Sequence, residues 1–299
     1  MQIFSKRTDK PHAYKFGEYQ NPLAYDPVEL AISEDGKNWV SAFDVGDMDG
    51  IYLYDYDWQT PVTADTYSTL GQRNGQDLTA SRYDSRQITL TFLARCLDED
   101  DEKLALKAVT NYLVSRTPYW ITFADCGYRM YLVKYTSMTA TYISEKNLEI
   151  EVVLNNLTGV GQSVVSSLNI DNAVAFGLGL RENENYSYQF SGNSFTVYNP
   201  GDLPVDPVVQ NDYFVLTIHA DGKPSIKNND TGDTFTMNNN VNKGQSLVLN
   251  GVNPYLDGNG CGNQTNNGVI RLQQGENHLS VSGCDNFSCS IDFFFKYLN

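Results

Sequence analysis

The chain has 299 residues, of which 41% are hydrophobic and 12% aromatic. That length suits two domains of ~150 residues each better than one small sandwich, and the apolar content excludes wholesale disorder. With 21 basic against 36 acidic residues and a formal net charge of −15, a surface that grips duplex phosphates or an anionic membrane through clustered Lys and Arg is excluded.

In chain order, the start MQIFSKRTDKPHAYKFG has no apolar signal core. No later stretch reaches the ~18 uncharged apolar residues of a membrane helix. No membrane insertion is expected, and the chain is expected to be made and kept in a cytoplasm unless a particle carries it out. The segment DVGDMDGIYLYDYD (44–57) crowds Asp44, Asp47, Asp49, Asp55 and Asp57 around Gly50. Asp-x-Asp-Gly is the middle of a calcium loop, but its other ligands and its closing Glu are missing. A polar turn with solvated carboxylates is therefore the expectation. Tyr52, Tyr54, Tyr56 and Trp58 then alternate with Leu53, Asp55 and Asp57 as one face of a strand. Tyr and Trp with few Lys suit a protein–protein interface better than a sugar-stacking platform.

Ile88, Leu90, Phe92, Ala94 and Cys96 alternate with Gln87, Thr89, Thr91 and Arg95, the period of a strand with one buried face. DEDDEKLALKAVTNYLVSRT (98–117) reads as the one helix. Asp98 is its N-cap, its acidic start suits the positive helix end, and Leu104, Ala108, Val109, Tyr112 and Leu113 form an apolar stripe. Pro118 stops it. YWITFA (119–124) and YRMYLVKYTSM (128–138) form a hairpin across Asp125-Cys126-Gly127, and Leu148, Ile150, Val152 and Leu154 mark a further strand.

NNLTGVGQSVVSS (155–167) is a polar Gly- and Ser-containing boundary, dividing the chain into domains 1–157 and 158–299. The second half is rich in Asn and Gly and nearly free of Lys and Arg. Its candidate strands are 194–199, 213–219, 246–250, 268–273, 277–283 and 288–297. Asp221-Gly222, Thr231-Gly232, Lys243-Gly244, Asp257-Gly258 and Gln274-Gly275 are read as turns between them. Short strands with polar turns predict a β-sandwich. The fold expected is mainly β with one helix.

Chemistry-bearing patterns are sparse. Cys96, Cys126, Cys261, Cys284 and Cys289 form no C-x-x-C pair. Buried free thiols are expected, with a Cys284–Cys289 bridge or a metal site as alternatives. His12, His219 and His278 lie in no H-E-x-x-H, and His219 and His278 are read as surface or satisfied sandwich residues. No nucleophile elbow, P-loop or dinucleotide fingerprint occurs. No catalytic residue, cofactor or metal is expected.

The runs GQDLTASRYDSRQITLTFLARCLDEDDEKLALKAVTNYL (75–113) and PYWITFADCGYRMYLVKYTSM (118–138) give an Arg-bearing strand, an acidic-capped helix and a hairpin in order. With VYNPGDLPVDPVV (197–209), NNDTGDTF (228–235) and NNGVIRLQQGENHLSVSG (266–283), nearly the whole chain resembles the distal tail protein (Dit) family of long-tailed bacteriophages of Gram-positive hosts. The resemblance implies a structural, non-enzymatic virion protein at the tail tip, assembled in the host cytoplasm. Six copies form a ring from an N-terminal belt domain (a β-sandwich with helix and extended hairpin), and C-terminal galectin-like β-sandwich domains project outward. It further implies a tail tube protein above, a tail-associated lysin- or fibre-type protein below, a receptor-binding protein as a further partner, and DNA passing through the channel without specific binding. The segment 55–75 is expected to hold part of the extended hairpin. Tyr54, Trp58 and Tyr83 are the candidate interface residues.

Competing readings are a carbohydrate-binding adhesin for host cell-wall saccharide and a virion-borne hydrolase. Against the first, the second half has no His-x-Asn-x-Arg pattern and no Trp: Trp39, Trp58 and Trp120 all lie in the first half.

Overall fold

The computed structural model describes residues 2–7, 25–126, 128–144, 147–170, 176–180 and 186–298. His12 and Gly127 lie outside the described residues. The chain divides into two compact units, one running to Gly161 and the other Gln162–Leu298.

The first unit contains β1 (Leu30–Ser33), β2 (Val40–Ser41), β3 (Ile51–Trp58), β4 (Thr63–Ser68), β5 (Asp77–Tyr83), β6 (Arg86–Arg95), α1 (Glu99–Leu113), β7 (Tyr119–Phe123), β8 (Arg129–Ser144) and β9 (Asn147–Asn156). All but β4 and β5 form one antiparallel sheet in the order β2-β1-β7-β8-β9-β6-β3. That sheet curls back on itself. Val28, two residues before β1, donates its N–H to the Leu53 carbonyl of β3 at 2.8 Å. The Tyr56 ring of β3 also stacks on Phe123 of β7 with centroids 4.1 Å apart.

The buried alternation of β6 and β9 is as the sequence predicts. Ile88, Leu90, Phe92 and Ala94 oppose Leu154, Val152, Ile150 and Leu148, all inside the core. The helix covers this core. Asp98 Oδ1 accepts the N–H groups of Asp100 and Asp101, satisfying two donors that the first turn leaves unpaired. Ala105, Ala108, Val109, Tyr112 and Leu113 face inward. Leu104, expected in the stripe, is exposed; Ala105 takes the inward position one residue on. The helix also ends at Leu113, four residues short of the predicted span. β8 runs six residues beyond the predicted strand, to Ser144.

The predicted face of Tyr52, Tyr54, Tyr56 and Trp58 does not hold together. A β-bulge between Leu53 and Asp55 shifts the register against β6. Before it, Ile51 and Leu53 oppose core residues; after it, Tyr56 and Trp58 do, opposite Leu90 and Ile88. One extra residue turns an alternating strand over. Tyr56 and Trp58 therefore pack on the core, while Tyr54 reaches the other side to Glu149.

The second unit contains β10 (Gly161–Ser163) at its boundary, β11 (Gln189–Ser191), β12 (Ser194–Asn199), β13 (Phe214–Asn228), β14 (Thr234–Thr236), β15 (Leu247–Asn250), β16 (Asn253–Leu256), β17 (Asn259–Gly260), β18 (Gly275–Phe293) and β19 (Lys296–Tyr297). It is organised by the long pair β13 and β18. β11, β15, β16 and β17 extend one part of this ladder, and β12 and β14 flank the other. Both long strands break register between His219 and Ser225, where Gly222 and Gly283 take φ of +122° and +76°. The predicted turn at Asp221-Gly222 is thus a bend inside β13, and the strands predicted at 277–283 and 288–297 are mostly one strand, β18. Such irregularities let one strand serve two sheet portions. The portions meet through the stacked rings of Phe190 on β11 and Phe195 on β12, 4.5 Å apart. The segment 268–273 forms no strand; of its residues, Leu272 makes an isolated bridge to Val205. Cys289, Ile291, Phe293 and Phe295 are buried.

Candidate assembly surface

β4 and β5 form a hairpin in a two-stranded sheet of their own. It leaves the first unit between the end of β3 and the start of β6, and it is called the arm below. Its root is tied down from both sides. Asp84 N–H donates to the Val62 carbonyl at 2.8 Å, and Gln59 N–H to the Gln87 carbonyl at 3.0 Å. Gln59 Oε1 accepts from Gln87 N–H at 3.0 Å. Beneath the root the buried Arg86 guanidinium lies over the Trp58 ring, 5.8 Å from its centroid. Burial lowers the Arg86 pKa, because low-dielectric surroundings disfavour the charged form.

Along the arm, Asp65 gathers three hydroxyls: Ser81 at 2.6 Å on Oδ1, and Thr63 and Tyr67 at 3.2 Å on Oδ2. These donors, the Ser81 bond foremost, hold the Asp65 carboxyl below its ordinary pKa. The Tyr67 phenol is raised by the same contact. A bulge between Thr66 and Tyr67 again resets the register, so that Tyr67 opposes Leu78. Thr79, the extra residue, donates its hydroxyl to the Thr66 carbonyl at 2.9 Å. The shift puts Tyr67, Leu78 and Tyr83 on one face, at the positions adjoining Asp65 and Ser81. Tyr67 is 54% exposed, Leu78 57%, and Leu70 at the tip 65%. Large apolar side chains gathered on an exposed two-stranded ribbon mark a contact surface rather than a core.

The three sequence-predicted residues fall in three environments. Tyr83 lies on the arm's apolar face. Tyr54 sits at the β3 bulge, its hydroxyl donating to Glu149 Oε2 at 2.6 Å. That bond and partial burial push its phenol up to about 12. Trp58 is half-buried and packs against the core, its ring 5.4 Å from Phe123 and 4.3 Å from Tyr131. Tyr67, Leu70 and Leu78 were not singled out from the sequence. Their signal was faint: apolar residues scattered in Thr-, Ser- and Asp-rich segments whose phase depends on a bulge.

Elsewhere the chemistry is structural. All five cysteines are free, so no Cys284–Cys289 bridge forms. His219 Nδ1 lies 2.8 Å from the Gln245 carbonyl, and the exposed His278 lies 3.1 Å from Asp230. Among the described residues no cluster of three or more His, Cys, Asp or Glu side chains is arranged to hold a metal ion. No helix among them is long and apolar enough to cross a membrane.

Comparison with known proteins fits this architecture. Residues 41–156 match the phage tail protein RIFT-related domain. No curated protein matches the sequence. The fold is similar to that of the Dit protein of phage SPP1, described as a paradigm of the hub adsorption apparatus in phages infecting Gram-positive hosts. The TM-score is 0.56 at 10% sequence identity, over 90% of this chain and 99% of that one. A chain of the phage P2 baseplate in its Ca-activated conformation aligns with a TM-score of 0.39 at 9% identity, over 89% of this chain and 98% of that one; that score is too low to add to the assignment. Residues 41–156 thus match a phage tail protein domain, and the fold of the chain carrying them is similar to that of a distal tail (Dit) protein.

Proposed function

We propose that this protein is a structural hub of a phage tail tip: a six-copy ring that joins the tail tube to the tail-associated and adhesion proteins, with a central channel for DNA. The observation that carries the reading is the arm, an exposed apolar hairpin built onto a phage tail domain. Exposed ribbon edges invite pairing, and a ring occupies them in a controlled way.

In this reading residues 1–157 form the ring and residues 158–299 are a galectin-like outer domain on which a receptor-binding protein docks. Tyr83 and Tyr54 lie at or near the contact between copies, and Trp58 fixes the arm's root from below. The ring is assembled in the host cytoplasm and carried in the virion, and it performs no catalysis. A net charge of −15 per copy favours an acidic channel wall, which repels DNA and lets it pass without sticking; a wall lined by Lys and Arg would contradict this.

The direct test is assembly on the neighbouring parts. Purified protein is mixed with isolated tail tubes lacking the tip and imaged. Rings capping one tube end are expected. Tubes left bare while the protein binds purified cell wall would favour an adhesin instead.

A further inference from the structure

Between the end of β4 at Ser68 and the start of β5 at Asp77 lies the tip TLGQRNGQ (69–76). It holds one of the four Asn-Gly pairs in the chain; the others are Asn250-Gly251, Asn259-Gly260 and Asn267-Gly268. Such a pair carries its own chemistry. The glycine nitrogen can attack the asparagine Cγ, because no Cβ crowds the five-membered ring that forms. The reaction needs a backbone free to bring the nitrogen and Cγ together.

The four pairs differ in that freedom. Gly251 N–H donates to the Phe214 carbonyl at 2.7 Å, and Asn250 is paired with both Val215 and Asn253. Asn259 and Gly260 both lie in β17, opposite Leu256 and Tyr255. Gly268 N–H donates to Asn266 Oδ1 at 2.9 Å, and a Cβ there would fall 1.9 Å from the Thr234 carbonyl oxygen. Asn74-Gly75 has none of these restraints. Neither residue belongs to a strand, and both are exposed. Gly75 N–H meets no acceptor among the described residues. A Cβ built at Gly75 would meet nothing within 4 Å, and its φ of +90° is a conformation glycine enters without steric cost. Loop tips of this kind rearrange at little cost, whereas a residue held in a ladder must first leave it.

We propose that Asn74 is a site of spontaneous modification, at which the side-chain amide becomes the carboxylate of aspartate or isoaspartate. The Gly75 nitrogen attacks Asn74 Cγ and forms the new C–N bond. The Cγ–Nδ2 bond breaks, and Nδ2 leaves as ammonia with the proton that the Gly75 nitrogen gives up. Water then opens the succinimide at either carbonyl. One opening leaves aspartate in the original chain; the other leaves isoaspartate, which adds a methylene to the main chain. Between Thr63 and Tyr83, Asp65 and Asp77 balance Arg73 and Arg82, so either product makes the arm net negative. It also gives Arg73 a second carboxylate beside the exposed Asp77, its partner at 3.4 Å. The inference holds whether or not the copies form a ring.

The test follows the full-length protein over time in mildly alkaline buffer made with heavy-oxygen water, so that each conversion carries a label. Peptide mass maps read all four sites, in the folded protein and in denaturant. In denaturant the four pairs are expected to convert at similar rates. In the folded protein Asn74 is expected to lead the other three by about fivefold or more, the scale of one net hydrogen bond. An Asn74 that stays unmodified, or that any of the other three overtakes, would overturn the proposal. Equal rates at all four sites in the folded protein would overturn it too. Asn74→Gln would have to close a six-membered ring at the same exposed position. It is expected to stay unlabelled at 74; labelling there as fast as in the unaltered chain would contradict the succinimide route.

Discussion

Asp65 is the arm's internal polar anchor, and it gives the arm a pH dependence of definite sign. Its folded pKa is depressed, so its contribution is fully present above the unfolded carboxylate range near ~4 and is lost as pH falls through the lower folded value. Amide exchange at Thr66 and Ser81 is expected to be constant from neutrality down to that range and to accelerate below it; the Asp65→Asn variant is expected to exchange fast throughout. Asp98 and Phe92 test the body of the unit. All three Trp lie in the first half, so their fluorescence reports the first unit alone. Followed this way during denaturation, Asp98→Ala is expected to lose about 1 kcal/mol, the usual scale of an N-cap. Phe92→Ala, at a fully buried site, is expected to lose about 3–5 kcal/mol. Gly159 is set by close approach: it has φ of +68°, and a Cβ there would fall 2.0 Å from the Asp84 carbonyl oxygen beside the arm's root. Gly159→Ala must shift one of these segments.

At the scale of elements, the arm separates assembly from stability. Tyr67, Leu78 and Tyr83 are exposed, and surface changes usually stay within about 0.5 kcal/mol. The triple change to Ser is therefore expected to leave thermal unfolding nearly unchanged while abolishing the oligomer; light scattering beside a melting curve reads both. The elements also differ in how plainly the sequence announces them. β6, β9 and α1 were legible because each carries a complete period: five alternating apolar residues from Ile88 to Cys96, and a capped, acidic-started helix at Asp98. What stayed hidden depends on bulges. At Tyr54, one extra residue sends Tyr56 and Trp58 into the core, so a side chain read as interface became packing. At Gly222 and Gly283 the residues have turn character, but the long-range pairing of β13 with β18 turns them into bends. A local reading cannot see the partner strand that decides between a turn and a bend. The arm was half legible. Segment 55–75 was expected to hold part of it, and β4 and the tip do lie there, but which side chains share its apolar face follows from the Thr79 bulge.

For the whole molecule, the proposed ring stands on the exposed arm, carried on a unit whose residues 41–156 match a phage tail domain. A single copy leaves the arm's apolar face uncovered. Burial of that face in the proposed ring is the reading offered for the apolar side chains of Tyr67, Leu70 and Leu78 that stand in water. The measurement that tests this most directly is the mass of the purified protein by light scattering, with negative-stain images of the same sample. The prediction is a particle of six times the 33.5 kDa chain mass, seen as a six-fold ring with a central hole. A 33.5 kDa monomer that persists as concentration rises would contradict it.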